Sequence, residues 1–172
     1  MENIEQPFEQ EDFPYEDKEY ERVEDLIMWE HHQIEDKLVR AISGEGLSVN
    51  ERRDLFNDVK KEILHHMNAE EYTYYQEIPG VNDVSKEQIR ESKQEHHQIK
   101  LIMSELDDVA VENPDWKAKL QVLCEDIKHH HREEEEEFLE HTKEEWSDEK
   151  SQKICQNFLK AKKKAKAKTK KK

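Results

Sequence analysis

The sequence contains few of the residues that interrupt regular secondary structure. Its 172 residues include three Gly and four Pro, and 33% of them are hydrophobic. So few turn-forming residues exclude an all-β chain with many tight turns, and the length fits one domain with tails. No apolar run approaches the ~18 residues that a membrane span needs, so we expect no transmembrane segment.

Cysteine is scarce, and no export signal is recognisable. The two cysteines are Cys124 and Cys155, and the first 25 residues contain eleven Asp or Glu. A signal peptide would need a basic start and an apolar stretch instead. We therefore expect reduced thiols and a cytoplasmic protein.

Positive charge is concentrated near the C-terminus. Nine of the 28 Lys and Arg, and none of the 43 Asp and Glu, lie in residues 160–172, so residues 1–159 carry a net charge of −24. Such an acidic body repels nucleic acid and tolerates cations. The Lys-rich tail can contact anionic surfaces, but it has no aromatic residues to stack on bases, so we expect no specific nucleic-acid binding.

Histidine, by contrast, is abundant and clustered. Nine of the ten His lie in four clusters that begin 34, 31 and 33 residues apart. The clusters are His31-His32, His65-His66, His96-His97 and His129-His130-His131. This spacing predicts one cluster per helix in a bundle whose helices are joined by short loops.

Apolar residues recur at spacings of three and four, which predicts an all-α fold. We expect an antiparallel up-down-up-down four-helix bundle with a short fifth C-terminal helix and disordered tails. The expected helices span about 18–43, 49–77, 86–111 and 114–145, with the fifth after Ser147. Three motifs mark helix starts. They are the capping boxes Ser48/Glu51 and Ser85/Gln88, and the pair Asn113-Pro114. The predicted divisions are an acidic disordered segment 1–17, the bundle domain 18–159 and a Lys-rich flexible tail 160–172.

An internal repeat relates the two halves of the bundle. Residues 30–34, Glu-His-His-Gln-Ile, recur as residues 95–99, and the second helix recurs in the fourth at a shift of 64 residues. The bundle therefore consists of two copies of one αα-hairpin.

One His of each cluster continues the apolar stripe of its helix. These are His31, His66, His96 and His130, and Glu70 and Glu134 follow one turn after His66 and His130. Near-equal distances from the helix ends place all six at one level of an antiparallel bundle, to within a turn of about 5 Å. The remaining cluster members, His32, His65, His97, His129 and His131, fall about 100° from the stripe, so we expect them at the surface or flank.

So many buried polar groups must be satisfied, either by each other or by cations. Imidazole and carboxylate suit Fe, Mn or Zn, and six ligands are too many for one tetrahedral Zn. We expect His31 and His66 to hold one metal and His96 and His130 a second, with Glu70 and Glu134 bridging. Without metal, at least one of these two carboxyl groups should take up a proton.

The roles of a few polar residues near the stripes stay open. Glu35, one turn after His31, is an exposed acid, an additional carboxylate of the site or an acceptor that hydrogen-bonds to one of its ligands. His131 and Glu135 are further candidate ligands. A ferritin-like arrangement would use Glu-xx-His on two helices. Its candidates, Glu62-xx-His65 and Asp126-xx-His129, lie off the apolar stripes.

The order His31, His66-xxx-Glu70, His96, His130-xxx-Glu134 resembles the hemerythrin-like, HHE cation-binding family over about residues 20–160. The resemblance implies two iron ions with a bridging oxo or hydroxo group. It departs from O2-carrying members at Ser92, where they have His, and at Glu134, since their carboxylate follows the His by five residues. Pairing His130 with Glu135, or His129 with Glu134, would restore that spacing.

This resemblance implies a protein that binds, senses or scavenges a small ligand such as O2, NO or peroxide. It favours binding over turnover of an organic substrate, so enzymatic activity is left undecided. Two further hypotheses are an iron storage or donor protein and an electrostatic adaptor that acts through the Lys-rich tail.

Overall fold

The computed structural model describes residues 21–81 and 84–169, so the predicted acidic segment 1–17 lies outside the described residues. The described part contains five helices and no strand. They are α1 Val23–Ser43; α2 Val49–Ala69, continued by Glu70–Tyr74 and Tyr75–Glu77; α3 Lys86–Asp107; α4 Pro114–Glu134, continued by Glu135–Leu139 and Glu140–Glu145; and α5 Asp148–Thr169. The all-α prediction is confirmed, and the ends of the first four helices lie within about five residues of those expected.

The predicted helix starts form as their sequences indicate. Ser48 accepts from the backbone N–H of Glu51, whose carboxylate accepts from the backbone N–H of Ser48, and Ser85 and Gln88 repeat this capping box. Asn113 caps α4 ahead of Pro114. These side chains satisfy backbone donors that the first helical turn leaves without partners.

A π-helical turn interrupts both α2 and α4, at Glu70–Tyr74 and Glu135–Leu139. The 3.6-residue period does not predict these turns. Each one accommodates an extra residue, and the turn begins at the buried Glu70 in α2 and directly after the buried Glu134 in α4. As a result two adjacent side chains are buried in each helix, Tyr74 with Tyr75 and Phe138 with Leu139.

Two hydrophobic clusters lie on either side of the level that holds the histidines. One cluster includes Val23, Tyr74 and Phe158, and the other includes Leu38, Phe56 and Trp116. In α1, Ile27 belongs to the first cluster and Ile34 to the second. His31 lies between them in sequence, so the polar layer divides the apolar core.

The fifth helix is longer than expected and continues into the Lys-rich segment as far as Thr169. Its buried residues Ser151, Ile154 and Phe158 pack against the bundle. The Lys162 ammonium then bonds to the Glu30 carboxylate of α1. These contacts hold the start of the segment as a helix although its lysines repel each other. None of the described helices is long and apolar enough to cross a membrane.

Candidate metal centre

The structure brings all six predicted site residues together inside the bundle. Each of them is at most 2% exposed, and His31, His96 and Glu70 are fully buried. Their convergence confirms the level and register that the apolar stripes predict. The residues are His31, His66, Glu70, His96, His130 and Glu134.

Glu70 lies between two groups of histidines. Its Oε1 is 2.7 Å from Nε2 of His66 and 3.7 Å from Nε2 of His31, whereas its Oε2 is 3.4 Å from Nε2 of His96. Glu134 approaches His31 at 3.2 Å and His130 at 4.0 Å. A carboxylate placed in this way is suited to bridge two cations.

Two adjacent positions can therefore each hold one metal ion. Position 1 is the group His31, His66, Glu70 and Glu134, and position 2 is the group Glu70, His96 and His130. In each group the candidate ligand atoms lie within 4.8 Å of one another. This division into pairs of histidines is the one that the sequence predicts.

Each of the four histidines bonds through Nδ1 to a carboxylate outside the two positions. The pairs are His31–Glu135 at 2.8 Å, His66–Glu30 at 2.8 Å, His96–Glu71 at 2.9 Å and His130–Glu95 at 2.7 Å. A carboxylate can only accept, so we assign the proton of each neutral ring to Nδ1. The lone pair of every Nε2 then points inward, as in proteins where a carboxylate orients a metal-bound His.

Most of these inward atoms have no hydrogen-bond partner among the described residues. The unpartnered atoms are Nε2 of His31 and of His66, and both carboxylate oxygens of Glu70 and of Glu134. Some of these atoms lie close to each other, although none of them makes a hydrogen bond within the described part of the chain. Lone pairs and negative charges that converge in a buried space require cations. The donor set therefore fits a pair of divalent or trivalent metal ions.

Without cations, the electrostatics favour protons on the imidazoles. Burial acts to raise the pKa of Glu70, but His66, His31 and His96 hold that pKa well below its ordinary value. Burial acts to lower the pKa of His96, but Glu70 and Glu71 raise it to about 9. The electrostatics therefore do not favour a proton on Glu70, because the imidazoles around it are the stronger bases.

His131 lies on the flank of α4, which is one of the two predicted alternatives, but it is buried and is not a surface residue. Its ring stacks on that of His31, with centroids 3.7 Å apart and an interplanar angle of 6°, and its Nδ1 bonds to Glu35 at 2.7 Å. The reason is that α4 packs against α1 on this flank, so a residue 100° from the stripe faces α1 rather than solvent. Glu35 is thus partly buried and hydrogen-bonds to His131.

Neither position receives a ligand atom from Glu135, His129 or Glu62. Glu135 bonds to Nδ1 of His31 at 2.8 Å, and His129 is exposed, so Glu134 alone of this acidic run is fully inward. Glu62 pairs with Lys37 at 2.6 Å. The shifted registers and the ferritin-like arrangement therefore do not describe this site.

Tyr75 and Ser92 lie next to position 2. The Tyr75 ring stacks on His96, and its hydroxyl is 3.4 Å from Nε2 of that histidine. Ser92, one turn before His96, is buried and donates to the carbonyl of Gln88 at 3.2 Å. Position 2 is therefore flanked by the phenol of Tyr75, whereas the hydroxyl of Ser92 is hydrogen-bonded within its own helix.

The carboxylates that hold the histidines were not predicted, yet the repeat contains them. Glu30 precedes His31 as Glu95 precedes His96, and Glu71 follows Glu70 as Glu135 follows Glu134. In each pair, both members support a histidine of a different helix. This repetition of an acid beside each candidate ligand is the sequence signal from which the supporting carboxylates could have been predicted.

An all-α bundle with buried His and Glu clusters at one level defines a helical metal-binding domain. The family model "Hemerythrin HHE cation binding domain" matches residues 22–141, and the chain belongs to this family. In the comparisons with curated proteins and with solved structures, no match reached significance.

Proposed function

We propose that the chain is a non-haem diiron protein that binds, senses or scavenges a small ligand such as O2, NO or peroxide. Two iron ions with a bridging oxo or hydroxo group would occupy positions 1 and 2, and the same donors also suit Mn or Zn. The observation that carries the proposal is the convergence of inward Nε2 and carboxylate atoms that lack hydrogen-bond partners among the described residues. Iron held there would supply a redox-active centre to which small ligands can bind.

The chain's own residues divide the work between binding and orientation. His31 and His66 hold position 1, His96 and His130 hold position 2, and Glu70 and Glu134 span them. The surrounding carboxylates fix each ring through Nδ1, which keeps Nε2 unprotonated and aimed inward. This arrangement sets the metals in place before any ligand arrives.

Burial restricts the kind of ligand that this site can accept. His96 and Glu70 have no exposed surface, and Tyr75 is 2% exposed. Burial raises the pKa of Tyr75 well above its ordinary value, and Glu134 and Glu70 raise it further, so the phenol keeps its proton. It can then donate a hydrogen bond to a ligand of a few atoms at position 2, which supports a diatomic or peroxide ligand over an organic substrate.

Metal analysis combined with ligand titration tests this proposal. Protein expressed in iron-rich medium should contain about two iron ions per chain, and its reduced form should bind NO with a change in its visible or electron paramagnetic resonance spectrum. His66→Ala should lose metal, whereas the exposed His97→Ala should keep it. Less than one equivalent of transition metal in the wild-type protein would contradict the proposal.

An iron storage or donor function makes a different prediction about exchange. A protein that delivers iron should release both ions to a chelator within minutes, whereas a buried ligand-binding centre should hold them for hours. The release rate of iron from the full chain into ferrozine separates these two functions.

A further inference from the structure

A second cluster of candidate metal ligands lies on the surface, where α3 and α4 meet. Glu95 of α3 and His129 and Glu133 of α4 each present one ligand atom, and these three atoms lie within 4.8 Å of one another. Nε2 of His129 is 3.0 Å from Oε1 of Glu133, one turn further along α4. The side chains of Glu95, Glu133 and His129 are 25%, 42% and 53% exposed, so an ion from solvent can reach them.

Glu95 connects this surface cluster to the buried centre. Its Oε2 accepts from Nδ1 of His130 at 2.7 Å, which leaves Oε1 for a partner outside the bundle. Within the described part of the chain, no Lys or Arg forms an ion pair with Glu95 or with Glu133. Two carboxylates at this separation repel each other, and a cation between them would remove the repulsion.

The internal repeat shows what occupies the same place in the other half of the bundle. Glu30, the counterpart of Glu95, accepts from a site histidine through Oε2, and its Oε1 bonds to the ammonium of Lys162. The counterpart of Glu133 is Ala69, which has no ligand atom in its side chain. The first half thus places a cation of its own chain beside the supporting carboxylate, whereas the second half places a second carboxylate there.

We propose that Glu95, His129 and Glu133 form a third metal site, which takes a divalent ion such as Zn²⁺ or Fe²⁺ from solvent. One imidazole and two carboxylates suit these ions, and three protein ligands leave a coordination position for water. The ion lies beside Glu95 as the Lys162 ammonium lies beside Glu30. The site is separate from positions 1 and 2 and does not depend on the proposed diiron function.

Arg132 opposes metal binding at this surface site. Its guanidinium donates to Nδ1 of His129 at 3.0 Å, so the neutral ring carries its proton on Nε2, toward Glu133. When a metal ion binds Nε2, that proton must leave and Nδ1 must take one up, which breaks the hydrogen bond from Arg132. Removal of the Arg132 side chain should therefore strengthen metal binding.

Zinc binding to the full chain, measured by equilibrium dialysis and elemental analysis, tests the site. Wild-type protein should bind one more zinc ion per chain than His129→Ala or Glu133→Gln, whatever the occupancy of positions 1 and 2. His97→Ala removes another exposed histidine and should bind as many zinc ions as wild type. Anomalous diffraction at the zinc edge should place the additional ion between α3 and α4.

The removal of one of two cations from α4 tests the role of Arg132. Arg132→Ala should tighten binding of the additional zinc ion by about 2- to 10-fold, which corresponds to one hydrogen bond. Lys128→Ala removes an equal charge from an exposed position one turn earlier and should have a smaller effect. Equal effects of the two substitutions would contradict the competition between Arg132 and the metal ion.

The zinc stoichiometry distinguishes this site from the proposed function. If positions 1 and 2 bind no metal, wild-type protein should still bind one zinc ion that His129→Ala lacks, so the proposed function fails and the third site stands. Equal zinc stoichiometry in wild type and His129→Ala would overturn the third site even if the buried centre holds two iron ions. Should a variant not fold, as judged by circular dichroism, a zinc-soaked wild-type crystal without an anomalous peak at these residues would equally overturn it.

Discussion

The Nε2 atoms of His96 and His130 lie 2.9 Å apart in the interior of the bundle, while Nδ1 of each ring bonds to a carboxylate. Two neutral rings oriented in this way present lone pairs to each other. In a buried, weakly polarisable environment this contact is unfavourable unless a cation or a proton lies between them. In the metal-free bundle at neutral pH that proton lies on His96, whose pKa burial acts to lower but Glu70 and Glu71 raise to about 9.

Metal binding should stabilise the fold. At a free metal concentration 1,000 times the dissociation constant, a ligand that binds only the folded state adds about 4 kcal/mol to the free energy of unfolding. We expect metal-loaded protein to melt at a clearly higher temperature than chelator-treated protein in calorimetry. His97→Ala should show the same difference and His96→Ala a smaller one, and identical melting curves with and without metal would contradict the expectation.

Glu70 and Glu71 are adjacent, yet their substitution should have different effects. Glu70→Gln removes a charge whose two oxygens face both positions, so both metal ions should be lost. Glu71→Ala removes only the acceptor of His96 Nδ1 and should weaken one metal ion by ~10- to 100-fold. Metal content after gel filtration and chelator competition measure the two effects. Retention of two tightly bound metals by Glu70→Gln would rule out its bridging role.

Tyr75→Phe should weaken ligand binding without changing metal content. The phenol would contribute one hydrogen bond to a ligand at position 2, worth about 1 kcal/mol, or ~5-fold in affinity. NO titration of the reduced protein, followed by electron paramagnetic resonance, measures the loss. Tyr72→Phe is the matched control because Tyr72 is 77% exposed. Equal NO affinity in wild type and Tyr75→Phe would show that the phenol does not contact the ligand.

Lys162 links the Lys-rich helix to the metal centre. Its ammonium contacts Oε1 of Glu30, whose Oε2 is 2.8 Å from Nδ1 of His66. Lys162→Ala should leave Glu30 buried without this cation and weaken the metal ion at position 1 by up to ~10-fold. The neighbouring Lys163 is exposed, so Lys163→Ala should have no effect in the same chelator competition. An equal effect of both substitutions would indicate a general charge effect instead.

Cys155 should react slowly with thiol reagents in the folded protein. Burial, with the nearby acids Glu24 and Glu30, raises the pKa of Cys155 to about 11. The thiolate is the reactive form, so alkylation at pH 8 should be far slower than in urea and should accelerate as the pH rises toward 11. Mass spectrometry after timed iodoacetamide treatment measures this, and rapid labelling at pH 8 in the folded state would contradict it.

The sequence predicted the helices, their starts and the inward direction of His31, His66, His96 and His130. These features depend on local rules, namely the 3.6-residue period, side-chain caps and the distance of each residue from its helix end. Because those rules act within one helix, they can be evaluated without knowing which helices are neighbours. The order and spacing of the same residues also predicted the family that the family model confirms.

Only the tertiary structure decided which flank of each helix is covered and which acid supports which ring. His131 lies 100° from the stripe of α4, and it is buried because α1 packs there and brings Glu35 to its Nδ1. The π-helical turn at Glu70–Tyr74 likewise turns Tyr75 toward His96. Contacts between helices distant in sequence depend on packing of whole surfaces, and a periodic pattern within one helix does not contain that information.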